Sequence, residues 1–245
     1  MTVHKPSKQS FLPSETMNTH LGSLHHATGF NAWMFSQYRD WIRWGKIWEI
    51  GSGTGNMSEF LLGAELACLT EYDDQFRAVL EKRFLGAARV KVEPVDLTKL
   101  DIEHFRSYEF DTIISTNVLE HIDDDIAAIR SITATMKPDA ILITLVPAHQ
   151  ALYGALDEFV GHFRRYSKKS LTRALEDGGQ ELLSLRYFNR LSAVGWFLKF
   201  RVLRSRKITD GDVEMVERLL PLMKLEKFLP LPFGQSLIGI SRKKR

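Results

Sequence analysis

A single cysteine, Cys68, stands in 245 residues. This excludes an internal disulfide and a cysteine-based zinc site, and it fits a reducing compartment. No run reaches the ~18–20 apolar residues that a membrane span needs. The opening MTVHKPSKQSFLPSE lacks the apolar stretch of a secretory signal. An excess of one charge sign is lacking too: the formal net charge is +3, too little to imply a nucleic-acid-binding face. The basic residues that do gather, in KFRVLRSRK and SRKKR, read as solvated surface and a frayed end. There is no internal repeat and no long linker. The expectation is a cytoplasmic protein, with peripheral contact at the inner face of a membrane left open. What remains, 44% hydrophobic and 26% charged residues, is the make-up of an ordinary globular chain with one large core.

After a polar, Pro/Ser-containing opening, GFNAWMFSQYRDWIRW spaces Phe30, Met34, Tyr38 and Trp41 as one helix face. Residues 1–45 are read as an N-terminal segment with a capping helix, and 46–245 as one domain with a helical insertion at about 190–230. Strands and helices then alternate. KIWEI, ELACLTE, ARVKVEPVD, FDTIIST and AILITLV read as strands, and ELLSLRYF and QSLIGIS as two last ones. MSEFLLGA reads as helical. DDQFRAVLEKRF is a helix with Phe76, Val79, Leu80 and Phe84 on one face and Asp73 or Asp74 as its cap. DDDIAAIRSITATM buries Ile126, Ile129, Ile132 and Met136, and Ser167 caps KKSLTRALED. Two helical segments precede the last strand, the second kinked or split at Pro221. Such alternation implies an α/β fold, a doubly wound, mostly parallel sheet with helices on both faces. Its ligands bind at the carboxyl ends of the strands.

The first strand runs into WEIGSGTGN. Asn56 and Met57 follow Gly55 where a Walker A loop needs Lys and Ser/Thr, which argues against a nucleoside triphosphate. Gly51, Gly53 and Gly55 give G-x-G-x-G, without the third glycine of the dinucleotide pattern G-x-G-x-x-G. Glu49, before the first glycine, suits a ligand carrying an ammonium group and a sulfonium better than a pyrophosphate. Glu71 ends the second strand, where a carboxylate accepts from ribose hydroxyls. Asp96 ends the third, within reach of an adenine amino group. A single acid at a strand end reads as a cap, whereas three around a glycine turn point to an adenosine ligand.

The run Glu49-x-Gly51-x-Gly53-x-Gly55, then Glu71, Asp96 and FDTIISTNVLEHIDDD, resembles the class I S-adenosylmethionine-dependent methyltransferases, from about Lys46 to Gly179. The resemblance implies a Rossmann-like seven-stranded sheet with an antiparallel last strand, and S-adenosylmethionine as cofactor. It also implies roles by position. Gly51, Gly53 and Gly55 pack against the methionine part and sugar, and Glu49 orients the amino end. Glu71 holds the ribose, Tyr72 flanks the adenine, Asp96 and Leu97 read its edge, and Asn117 borders the methyl group. VPAHQALYGALDEFVGHFRRYS and LPLPFGQSLIGISRK resemble bacterial methyltransferases associated with lipid-linked glycosyltransferases. The implied acceptor is a small molecule or lipid-linked compound.

Methyl transfer to oxygen needs a base for the acceptor's proton. His121, just past the fourth strand, is the candidate, against a purely supporting role in the turn. Glu120 reads as a structural hydrogen-bond acceptor. In GHFRRYS, His162, Arg164, Arg165 and Tyr166 lie after the fifth strand. One arginine could grip an acceptor anion, or both could brace the loop against Asp157, Glu158 or Asp123–Asp125. His149 and Tyr153 would line the same pocket. The place where adenine-methylating enzymes of nucleic acids carry Asn/Asp-Pro-Pro-Tyr reads Ser115–Thr116–Asn117–Val118, which argues against DNA or RNA. No His/Asp/Glu cluster has metal-ligand spacing, and His25–His26 reads as a solvated or capping pair. LSAVGWFLKFRVLRSRK, with Lys199, Arg201, Arg204 and Arg206 along it, reads as a core or lid helix, with a membrane-interface role as the alternative. Two further readings stay open here, a nicotinamide-dependent oxidoreductase and a non-catalytic binding module.

Overall fold

The structure, a computed structural model, describes residues 27–228 and 231–244. His25–His26 and the polar opening lie outside them. Seven strands form one sheet: β1 (Lys46–Ile50), β2 (Leu66–Glu71), β3 (Val90–Pro94), β4 (Thr112–Thr116), β5 (Ile141–Pro147), β6 (Gln180–Phe188) and β7 (Ser236–Lys243). Their order is β3-β2-β1-β4-β5-β7-β6. β1 through β5 pair in parallel, and β7 runs antiparallel between β5 and β6. The order reverses between β1 and β4, so a crevice opens at the carboxyl ends of those strands, where such sheets bind ligands.

The central strands are buried on both faces, which explains their near-continuous apolar sequences. Along β1, Ile47 packs into one core, and Trp48 and Ile50 into the other. The Trp48 core is closed by α3 (Ile102–Arg106), α4 (Asp125–Thr135) and α6 (Lys168–Asp177). The Ile47 core is closed by α1 (Thr28–Ser36), α2 (Asp74–Arg83) and α8 (Asp210–Met223). Caps fall where sequence places them. Asp73 accepts from the amides of Gln75 and Phe76, and Ser167 from that of Ser170. Cys68 is fully buried and its thiol is pushed up to about 12 by burial, so it serves as core packing.

Four expectations need correction. The helix expected at MSEFLLGA is a single 3₁₀ turn, Ser58–Leu61. Gly63 follows just beyond the capping Leu62, and the Ser58 hydroxyl is pulled inward to Glu49. The N-terminal helix stops at Ser36 because Ser36 Oγ and Gln37 Nε2 both donate to the Trp33 carbonyl, competing with the backbone ladder. Tyr38 is still buried, but Trp41 is exposed. Val79, placed on the buried face of α2, is 42% exposed, while Phe76, Leu80 and Phe84 are buried. Pro221 neither splits nor ends its helix. It sits in the last turn of α8, which continues to Met223 and tightens into a 3₁₀ turn, Lys224–Phe228.

The segment between β6 and β7 begins with α7 (Arg190–Trp196), continues as π-helical turns over Phe197–Val202, and returns through α8. Glu226 anchors its start, accepting from the Asn189 and Arg190 amides at 3.0 and 2.7 Å. Glu217 on α8 accepts from the Phe30 amide at 2.8 Å, tying α1 to this segment.

Candidate active site

The glycine turn has a steric logic. Gly51, Gly53 and Gly55 all have positive φ, at 70°, 55° and 85°. A Cβ on Gly51 would stand 2.5 Å from Val118 Cγ2, and one on Gly55 would stand 2.8 Å from the Phe84 ring. The turn therefore presents bare backbone at the β1–β4 crevice. The amides of Gly51 and Ser52 donate to the Thr70 carbonyl at 2.9 and 3.0 Å, which fixes the turn to β2.

Three carboxylates surround it. Glu49 is 3% exposed and takes a hydrogen bond from the Ser58 hydroxyl. Burial pushes its carboxyl up to about 7, Ser58 and Ser52 oppose this, and the Glu71 charge adds to it. The Tyr38 hydroxyl lies on the same side, its ionisation suppressed by burial and by the Glu49 charge. Glu71 Oε2 accepts from the Gly53 amide at 2.8 Å, and Oε1 from the amides of Tyr72 and Asp73 at 2.9 and 3.1 Å. Its carboxyl is raised by burial against those three donors. Asp96 Oδ1 caps the turn after β3, accepting from the Thr98 amide at 2.9 Å and its hydroxyl at 2.6 Å. Tyr72 and Asp96 line a cleft of about 510 Å³ between the ends of β2 and β3. Leu97 packs beneath, in the core. Asn117 sits at the end of β4 with φ 53°, exposed, its amide bonded to the Leu145 carbonyl at 2.9 Å. All the expected cofactor-side residues thus meet along one edge. Sequence reading missed Tyr38 and Ser58. Ser58 hid in an expected helix, and Tyr38 in a helix face.

Across β4 the arrangement is held by ion pairs and hydrogen bonds, some local around Asp157 and some reaching back to Asp125. Asp157, fully buried at the start of α5 (Ala155–Val160), is the hub. It accepts from His162 Nδ1 at 2.7 Å, Arg165 Nε at 2.8 Å and the Gly154 amide at 3.0 Å. These partners hold its carboxyl below the usual range in spite of burial. Arg165 is buried and stacks over the Trp196 ring at 5.0 Å, which links this loop to α7. Gly154 permits that approach, since a Cβ there would stand 2.4 Å from the Phe200 carbonyl oxygen.

The bracing alternative therefore describes both arginines. Arg164 binds Asp125 at 2.8 Å and the Asp123 carbonyl at 2.6 Å. Neither is displayed as an open anion fork. Tyr166 is also displaced from the expected pocket lining. It is 1% exposed, with its hydroxyl on Asp125 Oδ2 at 2.6 Å and its rotamer locked in the core. Tyr153 donates its hydroxyl to the His162 carbonyl at 2.7 Å. His149 stacks on Tyr187 at 4.8 Å, and burial lowers its basicity.

His121 and His162 meet edge to face, with ring centroids 4.6 Å apart. Glu120 corrects its sequence reading. Its backbone carbonyl accepts from Phe163, but neither oxygen of its fully buried side chain has a hydrogen-bond partner among the described residues. Burial pushes that carboxyl up to about 7, against the His162 charge. Glu120, His121 and His162 come together although 41 residues separate the pair from His162, so no spacing motif could reveal them.

Residues 48–142 match the family model described as a methyltransferase domain. No match was found among curated proteins. A solved S-adenosylmethionine-dependent methyltransferase from Mesorhizobium loti shares the fold, with TM-score 0.59 and 15% identity over 85% of this chain and 97% of the other. One from Clostridium acetobutylicum gives TM-score 0.61 and 11% identity over 95% and 98%. Coclaurine N-methyltransferase, solved with N-methylheliamine and S-adenosylhomocysteine, gives 0.59 and 13% over 86% and 72%. These likenesses carry the fold, and the matched domain carries the activity. The matched domain supports an S-adenosylmethionine-dependent methyltransferase activity, with S-adenosylmethionine as cofactor. The nicotinamide-dependent alternative falls with that assignment.

Proposed function

We propose that this enzyme methylates a hydroxyl of a lipid-linked acceptor at an anionic membrane surface. The observation that carries the reading is the character of the segment between β6 and β7. Val194, Phe197, Leu198, Val202 and Leu203 on it are exposed, Leu203 at 76%. Arg201, Arg204 and Arg206 interleave with them. No helix among the described residues is long and apolar enough to cross a membrane. An apolar, basic face suits insertion into an anionic interface, where area and charge add. The same segment touches the site through Trp196 on Arg165. Beside it, Arg186, Arg190, Lys224 and Lys227 line a cleft of about 290 Å³ together with Glu226, which pairs with Arg190 at 3.3 Å, so the cleft adds basic surface next to the segment.

In this reading, Glu49 pairs with the cofactor's ammonium and Glu71 accepts from its ribose. Tyr72 flanks the adenine, Asp96 and Leu97 read its edge, with Asp96 Oδ2 accepting from the amino group, and Asn117 borders the methyl. When bound there, S-adenosylmethionine would supply a methyl group activated by its sulfonium, the acceptor oxygen taking the methyl while the cofactor would be released as a neutral thioether. The protein's contribution is alignment and exclusion of water, which can reach about 7–11 kcal/mol. We assign removal of the hydroxyl proton to the face presented by His121.

The test combines flotation with labelling. The full chain should float with phosphatidylglycerol vesicles and stay behind with phosphatidylcholine. With labelled S-adenosylmethionine and a cell lipid extract, label should enter the organic phase. Label confined to water-soluble products, without flotation, overturns the lipid reading and leaves a small-molecule acceptor.

A further inference from the structure

We propose that Glu120, His121 and His162 bind one divalent transition-metal cation of the zinc class. One ligand-type atom from each lies within 4.8 Å of the others. About 3.4 Å separates ligand atoms around a tetrahedral zinc, so closure around an ion asks each side chain to move by less than an ångström. Two features point to an ion rather than to chance grouping. The first is Glu120, a fully buried carboxylate whose two oxygens lack any hydrogen-bond partner among the described residues. Buried carboxylates are ordinarily paired or coordinated. The second is the orientation of His162. Its Nδ1–H is committed to Asp157 Oδ1 at 2.7 Å, and Asp157 is itself fixed by Arg165 and Gly154. Nε2 then turns its lone pair toward Glu120 Oε1, 3.9 Å away, beyond hydrogen-bond reach. A carboxylate behind a histidine, with the far nitrogen facing a second carboxylate, is the outer-shell pattern of histidine metal sites.

Two imidazoles with one carboxylate favour zinc, manganese or iron(II) over magnesium or calcium. His121 and His162 are only partly buried, so the trio is reachable from solvent. The inference deepens the acceptor side of the proposed reaction and rests on that reading for its role. A cation here would acidify a hydroxyl that meets it, whose proton then leaves to water, with His121 acting as a ligand rather than as a free base.

The test is calorimetric titration of metal-stripped full-length protein with zinc chloride, with S-adenosylhomocysteine binding and circular dichroism as controls. One equivalent should bind. H162A and E120Q should weaken uptake at least tenfold, D157N by roughly 10–100-fold, and H104A, on the far side of β3, not at all. Folded protein that binds S-adenosylhomocysteine but no zinc overturns the inference and leaves the cofactor reading intact. Uptake unchanged in both H162A and E120Q overturns it as adventitious binding. Zinc uptake without S-adenosylhomocysteine binding keeps the site and sinks the cofactor reading. If E120Q fails to fold, H162A decides.

Discussion

Along β1–β3 the carboxyl edge is held mainly by near neighbours in sequence. Asp96 binds Thr98, Glu71 binds Tyr72 and Asp73, and Glu49 takes the Ser58 hydroxyl. Along β4–β5 the corresponding contacts span some forty residues, with Arg164 and Tyr166 on Asp125 and Phe163 on the Glu120 carbonyl. The first edge is a set of turns that each fold on local instruction. The second is one network closed only when the chain after β5 returns to the turn after β4. Damage should therefore stay local on the first edge and spread on the second.

The largest expected effect breaks the second edge. Asp157→Ala strands the buried Arg165 guanidinium and frees His162, and should cost about 3–5 kcal/mol in urea unfolding. A loss below about 1 kcal/mol would show that the network is no hub. Next comes the titration of Glu49. Its native carboxyl lies near 7, above the ordinary 4.5, so between those values the native state holds a proton that the unfolded chain has lost. Stability then falls by about 3 kcal/mol as pH rises from 4.5 to 7 and levels off above. E49Q should remove that fall, while Glu120 retains one of the same sign. Because the cofactor's ammonium favours the ionised form, S-adenosylhomocysteine affinity should rise as pH climbs through 7 in the parent and stay flat in E49Q. Affinity that is flat in both would remove Glu49 from cofactor binding.

Gly51→Ala forces a left-handed residue, at about 1–2 kcal/mol, and drives Cβ into Val118. Thermal melts should drop modestly, and calorimetry should find cofactor binding lost. The smallest effect sharpens the contrast. Asp96→Ala removes a cap from a three-residue turn and should cost about 1 kcal/mol, leaving the β4–β5 side and its zinc uptake intact. Equal losses for Asp96→Ala and Asp157→Ala in unfolding would erase the distinction between the edges.

The sheet was legible because its strands are apolar runs separated by capped amphipathic helices, signals that need no partner. The glycine turn was legible for the same reason, since positive φ selects glycine residue by residue. Tyr166 was misplaced because, next to two arginines in the loop after the fifth strand, it reads as part of the acceptor pocket. Only the Asp125 carboxylate, brought from α4, lets its hydroxyl be buried. Glu120 was misread because nothing local indicates that no donor reaches it.

Sequence by itself determined the order of strands and helices, the bare-backbone turn and the acids at the ends of β1–β3, because each follows from periodicity, capping or backbone sterics within about a dozen residues. Tertiary structure alone decided which groups meet beyond β4. Burial and charge pairing there depend on which segments the parallel sheet sets side by side, and the energy of a buried charge is fixed by its neighbours in space. His162 becomes a candidate ligand only once Asp157 stands behind it and Glu120 in front.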